Sequence, residues 1–85
     1  MTTALLDTRQ HTEEIIKYEK IKIATHADIS SLEAETLADD KDDEILYALA
    51  LNEKVSKNIL KRALSNAKNV IVKNRIKKAI GEKNG

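Results

Sequence analysis

The sequence predicts an all-α protein, arranged as a short α-solenoid of about five small helices. Apolar residues recur at three- and four-residue spacing along most of the chain, and some segments align with others as weak repeats. The 85 residues include no Pro and only two Gly, which argues against tight hairpin turns and Gly-rich phosphate loops. With no Cys and two Tyr as the only aromatic residues, the core must consist of Ile, Leu, Val and Ala.

Two helices are predicted in the second half of the chain. The clearer one begins at Val55 and has an apolar stripe formed by Val55, Ile59, Leu60, Ala63 and Leu64. The next runs from about residue 70 to residue 80 and has the same pattern in Asn69, Val72, Ile76, Ala79 and Ile80. Gly81 is expected to act as its C-terminal cap.

Three further helices are predicted in the first half. Ser30 and Glu33 have the spacing of a capping box, before a short helix whose apolar face holds Ile29, Ala34, Leu37 and Ala38. Acidic residues precede a second stripe, which consists of Ile45, Leu46, Leu49 and Ala50, and they favour the positive end of that helix dipole. Thr12 is a candidate cap for a first helix that carries Ile15, Ile16, Ile21, Ile23 and Ala24.

The chain divides into a flexible N-terminal arm (1–10), a helical-repeat domain (11–81) and a disordered tail (82–85). The first residues lack the basic stretch and apolar core of a signal peptide. The longest apolar run, residues 45–51, is too short to cross a bilayer. We therefore expect a cytoplasmic protein without membrane contact.

Two internal matches suggest a two-helix unit. Residues 24–40 align without a gap on residues 50–66, a period of 26, and pair Ser30 with Ser56 and His26 with Asn52. Residues 55–64 align on residues 71–80 with a period of 16.

The stretch Leu37-Ala-Asp-Asp, followed by Ala50-Leu-Asn52, resembles the leucine-rich repeat variant, a HEAT-like α-helical repeat family. Leu37, Ala38 and Asp40 match its Leu-Ala-x-Asp signature, and Ala50 and Asn52 match its Ala-x-Asn signature. With its weaker flanks the resemblance covers residues 24–40 and continues to residue 80. The turn prolines of the family are absent, with Glu53 and Ser56 at the expected positions. The resemblance implies a scaffold made of alternating short helices rather than an enzyme.

Charge is separated along the chain. Residues 1–52 hold five basic and twelve acidic residues, whereas residues 53–85 hold ten basic and two acidic ones, so a formal net charge of +1 conceals a strong dipole. Such a dipole can orient an asymmetric partner, favour head-to-tail self-association or hold a polyanion on one half of the molecule. A merely solvated surface is the alternative interpretation.

No catalytic, cofactor or metal site is predicted. His11 and His26 lack zinc-ligand spacing, and a calcium loop that begins at Asp40 places Ile45 and Leu51 where Gly and Glu are needed. The serines have no His or Asp partner in a motif, so capping accounts for them. A helix-end hydrogen bond is the expected role of His26.

The expected function is a non-enzymatic protein–protein interaction module that self-associates or docks on a larger protein, of which a phage-type accessory or inhibitor protein is one form. The candidate partner-binding residues are Tyr47, Asp39, Asp40, Asp42 and Asp43. The alternative is sequence-independent nucleic-acid binding through the basic C-terminal helices, with the candidates Lys57, Lys61, Lys73, Lys77 and Lys78. No small-molecule substrate is expected.

Overall fold

Residues 16–83 are described by the structure, a computed structural model, and within them every regular element is a helix. The prediction of an all-α fold is confirmed. The predicted arm at 1–10 and the predicted cap Thr12 lie outside the described residues. The elements are α1 (residues 16–25), α2 (Ser31–Ala38), α3 (Asp43–Ala50), α4 (Lys57–Asn66) and α5 (Val70–Glu82).

Side-chain caps determine where α2 to α5 begin. The capping box predicted for α2 is present: the Ser30 Oγ accepts the Glu33 N–H at 3.0 Å, and a Glu33 carboxylate oxygen accepts the Ser30 N–H at 2.9 Å. The same backbone hydrogen bond and the Ser30 hydroxyl lower the pKa of Glu33. Asp42, Ser56 and Asn69 cap the other three helices through their side-chain oxygens. Each cap satisfies N–H groups that a helix end leaves without a partner.

The prediction that Val55 begins a helix was wrong, because Ser56 is the N-cap of α4 and accepts the Ile59 N–H at 3.3 Å. Val55 is nonetheless buried, as is Leu60. These two residues occupy the positions of a hydrophobic staple, the residue before the cap and the fourth residue of the helix. Val55 therefore belongs to the core without belonging to the helix.

The cap predicted at Gly81 was also wrong. Gly81 lies inside α5, has no positive φ, and a Cβ at this position would meet no atom within 4 Å. The helix ends at Lys83, whose backbone N–H donates to the carbonyls of Ala79 and Ile80. Glu82 and Lys83, assigned to a tail by the sequence, thus belong to α5 and its cap.

Helices adjacent in sequence pack together, and so do helices two apart. α2 packs against α3 and α4, α3 packs against α4 and α5, and α4 packs against α5. The largest fully buried side chains are Ile45, Leu46, Leu49, Leu60, Ile76 and Val55. Three of these six belong to α3, so α3 is the centre of the core. No described helix has the length and apolar character needed to cross a membrane.

Two asparagines connect the ends of helices that are two apart. The Asn52 amide, only 7% exposed, donates 2.8 Å hydrogen bonds to the carbonyls of Ala24 and His26 at the end of α1. Its oxygen accepts the Lys54 N–H at 2.9 Å, so the side chain is satisfied. Asn66 donates in the same way to the Ala38 carbonyl at the end of α2, at 2.7 Å. Each asparagine thereby supplies a donor to carbonyls that lack a helical partner.

Replacing Asn52 with alanine should lower the free energy of unfolding by about 2 kcal/mol, because the buried Ala24 carbonyl loses the Asn52 donor and the His26 carbonyl keeps only the Ile29 N–H. Urea denaturation followed by circular dichroism measures the change. Asn58→Ala is the control, because Asn58 is an exposed residue of α4. Equal stability of the two variants would contradict a role for Asn52 in joining α1 to α3.

Candidate protein-binding groove

A shallow apolar groove runs across α1, α3 and α5 and has a volume of about 400 Å³. Helix periodicity explains its walls, since Ile21 and Thr25 lie four residues apart on α1, as Tyr47 and Leu51 do on α3. α5 contributes Val72 and its cap Asn69. We call this feature the Tyr47 groove; its remaining lining residues are Asp43, Glu44 and Ala48.

Tyr47 and Leu51 keep much of their surface exposed in this groove, 37% and 49% respectively. The sequence singled out Tyr47 as an interface anchor, and the structure places it in this groove. A tyrosine ring offers a large apolar area together with a hydroxyl that can remain hydrated, at little cost in side-chain entropy. Ile21, Leu51 and Val72, which complete the apolar lining, were not predicted. The four-residue spacing of Tyr47 and Leu51 was the sequence signal available for this groove, and it identifies only the wall that these two residues form.

Among the predicted acidic binding residues, only Asp43 lines the Tyr47 groove. Its two carboxylate oxygens accept the N–H groups of Lys68, at 2.9 Å, and Asn69, at 3.1 Å. These residues form the connection between α4 and α5. Asp43 therefore attaches the start of α3 to the start of α5, which shapes one end of the groove.

The other three aspartates are engaged in contacts within the chain. The Asp39 carboxylate lies 2.9 Å from the Nε of Arg62, in an ion pair that links the end of α2 to α4. Asp42 caps α3 and lies 3.2 Å from the Lys17 ammonium of α1. The acidic run, predicted to bind a partner, thus stabilises the joints between helices.

Asp40 is the least exposed of the three aspartates in ion pairs, with 19% of its side chain exposed against 32% for Asp42 and 54% for Asp39. Its carboxylate accepts from the Lys20 ammonium at 2.9 Å and from the Asp42 N–H at 2.9 Å. Burial alone would raise the pKa of Asp40, but these two hydrogen bonds and the Lys20 charge outweigh it and lower the pKa below its ordinary value. Asp40 therefore stays ionised and holds α1 against the loop before α3.

The lysines predicted to bind polyanions lie on α4 and α5. Lys57 and Lys61 are four residues apart on α4, and Lys73 and Lys77 are four apart on α5, so each pair shares a helix face. Lys78 is one position beyond Lys77 and falls outside that row. None of the five has a carboxylate of residues 16–83 within 4.0 Å.

His26 has the helix-end role that the sequence predicts. Its Nδ1 accepts the Asp28 N–H at 3.0 Å, and its carbonyl oxygen accepts from Asn52. The second histidine, His11, lies outside the described residues. Among residues 16–83, no three His, Asp or Glu side chains are grouped so as to hold a metal ion.

A larger opening, of about 550 Å³, lies between the C-terminal ends of α3 and α5. Three of its charged side chains make contacts within the chain. Arg75 lies 3.8 Å from the Glu82 carboxylate, and the Lys83 ammonium donates to the backbone carbonyl of Glu53. The Tyr47 groove is therefore the better candidate for binding apolar groups.

Comparison of the chain with protein-family models, with curated proteins and with solved structures gives no match.

Replacing Asp40 with asparagine should lower the free energy of unfolding at neutral pH by about 1 kcal/mol, because a partly buried charge-assisted hydrogen bond is lost. The folded carboxyl has a lowered pKa, so its contribution is present above the unfolded pKa and is lost as the pH falls through the folded pKa. The difference between the variant and the unsubstituted protein should therefore shrink below about pH 4.

Urea denaturation at neutral pH and through the acidic range measures this dependence. Asp28→Asn removes a carboxylate without an ion pair among the described residues and should leave the profile unchanged. A difference between the Asp40 variant and the unsubstituted protein that stays constant across all pH values would show that the charge has no part in the effect.

Proposed function

We propose that this chain is a small, non-enzymatic helical-repeat protein that binds other proteins, either further copies of itself or a larger partner. The observation that carries the proposal is the Tyr47 groove, an apolar surface that crosses three helices and leaves Tyr47 and Leu51 half exposed. Apolar grooves of this kind accept the apolar face of an amphipathic helix. A cytoplasmic location and a phage-type accessory or inhibitor role are part of the proposal.

Several contacts support the resemblance to the leucine-rich repeat variant. Ser30 and Ser56, aligned by the period of 26, cap the equivalent helices α2 and α4. Asn52 and Asn66 both donate to carbonyls at the end of a helix two elements earlier. Packing between helices that are two apart is what a two-layer array of repeats requires.

The disposition of the titratable groups favours binding over catalysis. The acidic side chains between Asp39 and Glu44 cap a helix, form ion pairs or, for Asp43, accept backbone N–H groups, and the Tyr47 groove itself is mostly apolar. General acid–base chemistry needs a titratable group directed at a bound substrate, whereas these groups contact other parts of the chain. The groove is suited to large apolar side chains of a partner.

Replacing Tyr47 and Leu51 together with alanine should weaken partner binding at least about thirtyfold, because an aromatic anchor in an interface typically contributes about 2 kcal/mol. The immobilised chain is used to capture proteins from an extract of its native host, and the affinity is then measured with the purified partner. Tyr18→Ala is the matched control, since Tyr18 is an exposed ring of α1 that does not line the groove.

An unchanged affinity after the double substitution would exclude the Tyr47 groove as the binding site. Circular dichroism of each variant shows whether the helices are retained. Equal loss in the Tyr18 variant would point to α1 instead of the groove.

Polyanion binding is the second candidate function, and one observation favours it. All eight lysines of the basic half have no carboxylate of residues 16–83 within 4.0 Å: Lys54, Lys57, Lys61, Lys68, Lys73, Lys77, Lys78 and Lys83. Four of them form the two rows on α4 and α5, which pack together. Ammonium groups in such rows can contact successive phosphates without reading bases.

If this second function holds, the variant Lys61→Ala/Lys77→Ala should bind duplex and single-stranded DNA more weakly than the unsubstituted protein. The slope of log K against log salt should fall by about 0.9 for each duplex phosphate that the variant no longer neutralises. Fluorescence anisotropy at two salt concentrations measures both quantities. Lys41→Ala/Lys54→Ala removes the same charge elsewhere and should have a smaller effect, whereas no binding at low salt would eliminate this function.

A further inference from the structure

The two ends of the helix array carry surfaces of different character. At the first end, two adjoining depressions share Ile23 of α1 and Glu33 of α2. Leu32 lines the second depression and is 74% exposed, the largest exposed fraction among the large apolar residues that the structure describes. We call this surface the front face; it comprises Glu19, Lys22, Ile23, Asp28, Leu32, Glu33 and Thr36.

The front face is directed away from the other helices. α2 packs against α3 and α4, and on its α4 side Glu35 accepts from Arg62 at 2.7 Å. Leu32 and Thr36 are exposed and lie on the side of α2 opposite its buried residues Ala34, Leu37 and Ala38. Three acidic side chains surround the apolar centre, and the one lysine among them, Lys22, already lies 4.0 Å from Glu19.

The last two helices form the other end, which we call the rear face. On α4, Lys57, Lys61 and Leu64 lie at intervals of four and three residues, and on α5 the equivalent set is Lys73, Lys77 and Ile80. Leu64 and Ile80 pack partly against the core.

The other flanks of α4 and α5 are occupied. Arg62 and Asn66 of α4 contact α2, and Arg75 of α5 lies beside the end of α3. The sides of α4 and α5 that carry the lysine rows are therefore directed away from α2 and α3. Each of these two helices, which pack together, carries one row. Lysine stems beside Leu64 and Ile80 add apolar surface beneath the ammonium groups.

We propose that the front face of one copy of this chain docks on the rear face of another, so that the protein assembles head to tail. This inference rests on the proposed interaction function in its self-associating form, and it uses surfaces distinct from the Tyr47 groove. In the assembly, α2 of the next copy lies beside α4, and α1 of the next copy lies beside α5. The next copy therefore extends both layers of helices. Glu19, Asp28 and Glu33 then face the two lysine rows, and Leu32 and Ile23 face Leu64 and Ile80.

Charge complementarity selects this pairing over the two symmetric ones. Two rear faces would oppose lysine rows to each other, and two front faces would oppose surfaces that each hold three acidic groups against one lysine. A head-to-tail contact is heterologous, so each added copy leaves one front face and one rear face available. The mean mass should therefore rise with concentration instead of stopping at a dimer, and the rise should weaken with salt.

Sedimentation velocity of three full-length proteins, freed of nucleic acid, tests the proposal. Leu32→Glu blocks the front face, and Lys61→Glu/Lys77→Glu blocks the rear face; all three side chains are exposed, so the helices should be retained. Each variant alone should stay monomeric at concentrations where the unsubstituted chain assembles. Mixed in equal amounts, they should form a dimer and nothing larger, because each supplies the face that the other lacks.

Raising NaCl from about 50 mM to about 500 mM should weaken the association of the unsubstituted chain at least tenfold, since exposed charges are screened. Lys41→Glu/Lys54→Glu, which makes the same charge change outside both faces, is the matched control and should assemble as the unsubstituted chain does.

Three outcomes would overturn the proposal. The unsubstituted chain could remain a monomer at every concentration, which would leave a foreign partner in the groove unaffected. The rear-face variant could dimerise by itself, which would indicate a symmetric front-to-front contact. Assembly could require added DNA, which would assign the rear face to nucleic acid. Capture that depends on Tyr47 is measured separately, so failure of head-to-tail assembly and failure of the proposed function are distinguishable.

Discussion

The fold depends on burying α3, because neither α3 nor its neighbour α2 is long enough to persist alone. Each has eight residues, whereas isolated helices shorter than about 12–15 residues are marginal in water. Ile45, Leu46 and Leu49 of α3 are almost completely buried, and α3 packs against α2, α4 and α5. Loss of this central helix would remove the surface against which α2, α4 and α5 pack, so these short helices are stable only together.

The acidic residues around the start of α3 follow from the same constraint. A short helix at the centre of an array must be held at its ends, and side chains there can reach several neighbours. Asp42 caps α3, Asp43 holds the connection before α5, and Asp40 binds Lys20 of α1. The density of carboxylates in this segment is therefore explained by the number of elements that meet there, without invoking a ligand.

The fold could be predicted from sequence where the signal is local. The capping box of Ser30 and Glu33 and the stripes of α3, α4 and α5 depend on residues within one or two turns, and these predictions were confirmed. Gly81 was misassigned because glycine is also tolerated inside a helix, and the contacts that extend α5 to Glu82 are not visible in the local sequence.

The candidate site was predictable only in part. Tyr47 was identified because tyrosine is a residue type that often anchors protein interfaces. Ile21 and Val72 lie 26 and 25 residues from Tyr47, so they enter the same groove only through the packing of α1 and α5 against α3. The pairing of Asp39 with Arg62 depends on the packing of α2 against α4 in the same way. Contacts between helices two apart thus decide both the groove and the use of the acidic run.

These contacts explain what the two oppositely charged halves of the sequence do in the folded protein. The acidic half of the chain uses its carboxylates at the joints between helices, with Lys17, Lys20 and Arg62 as the cationic partners. The lysines of α4 and α5 have no comparable partner among residues 16–83, so a nearly neutral total charge coexists with a positive surface at one end of the array. A partner that binds this end must therefore carry negative charge. The front face of a second copy and a phosphate backbone both satisfy this condition, and because they need the same lysines they must compete for them.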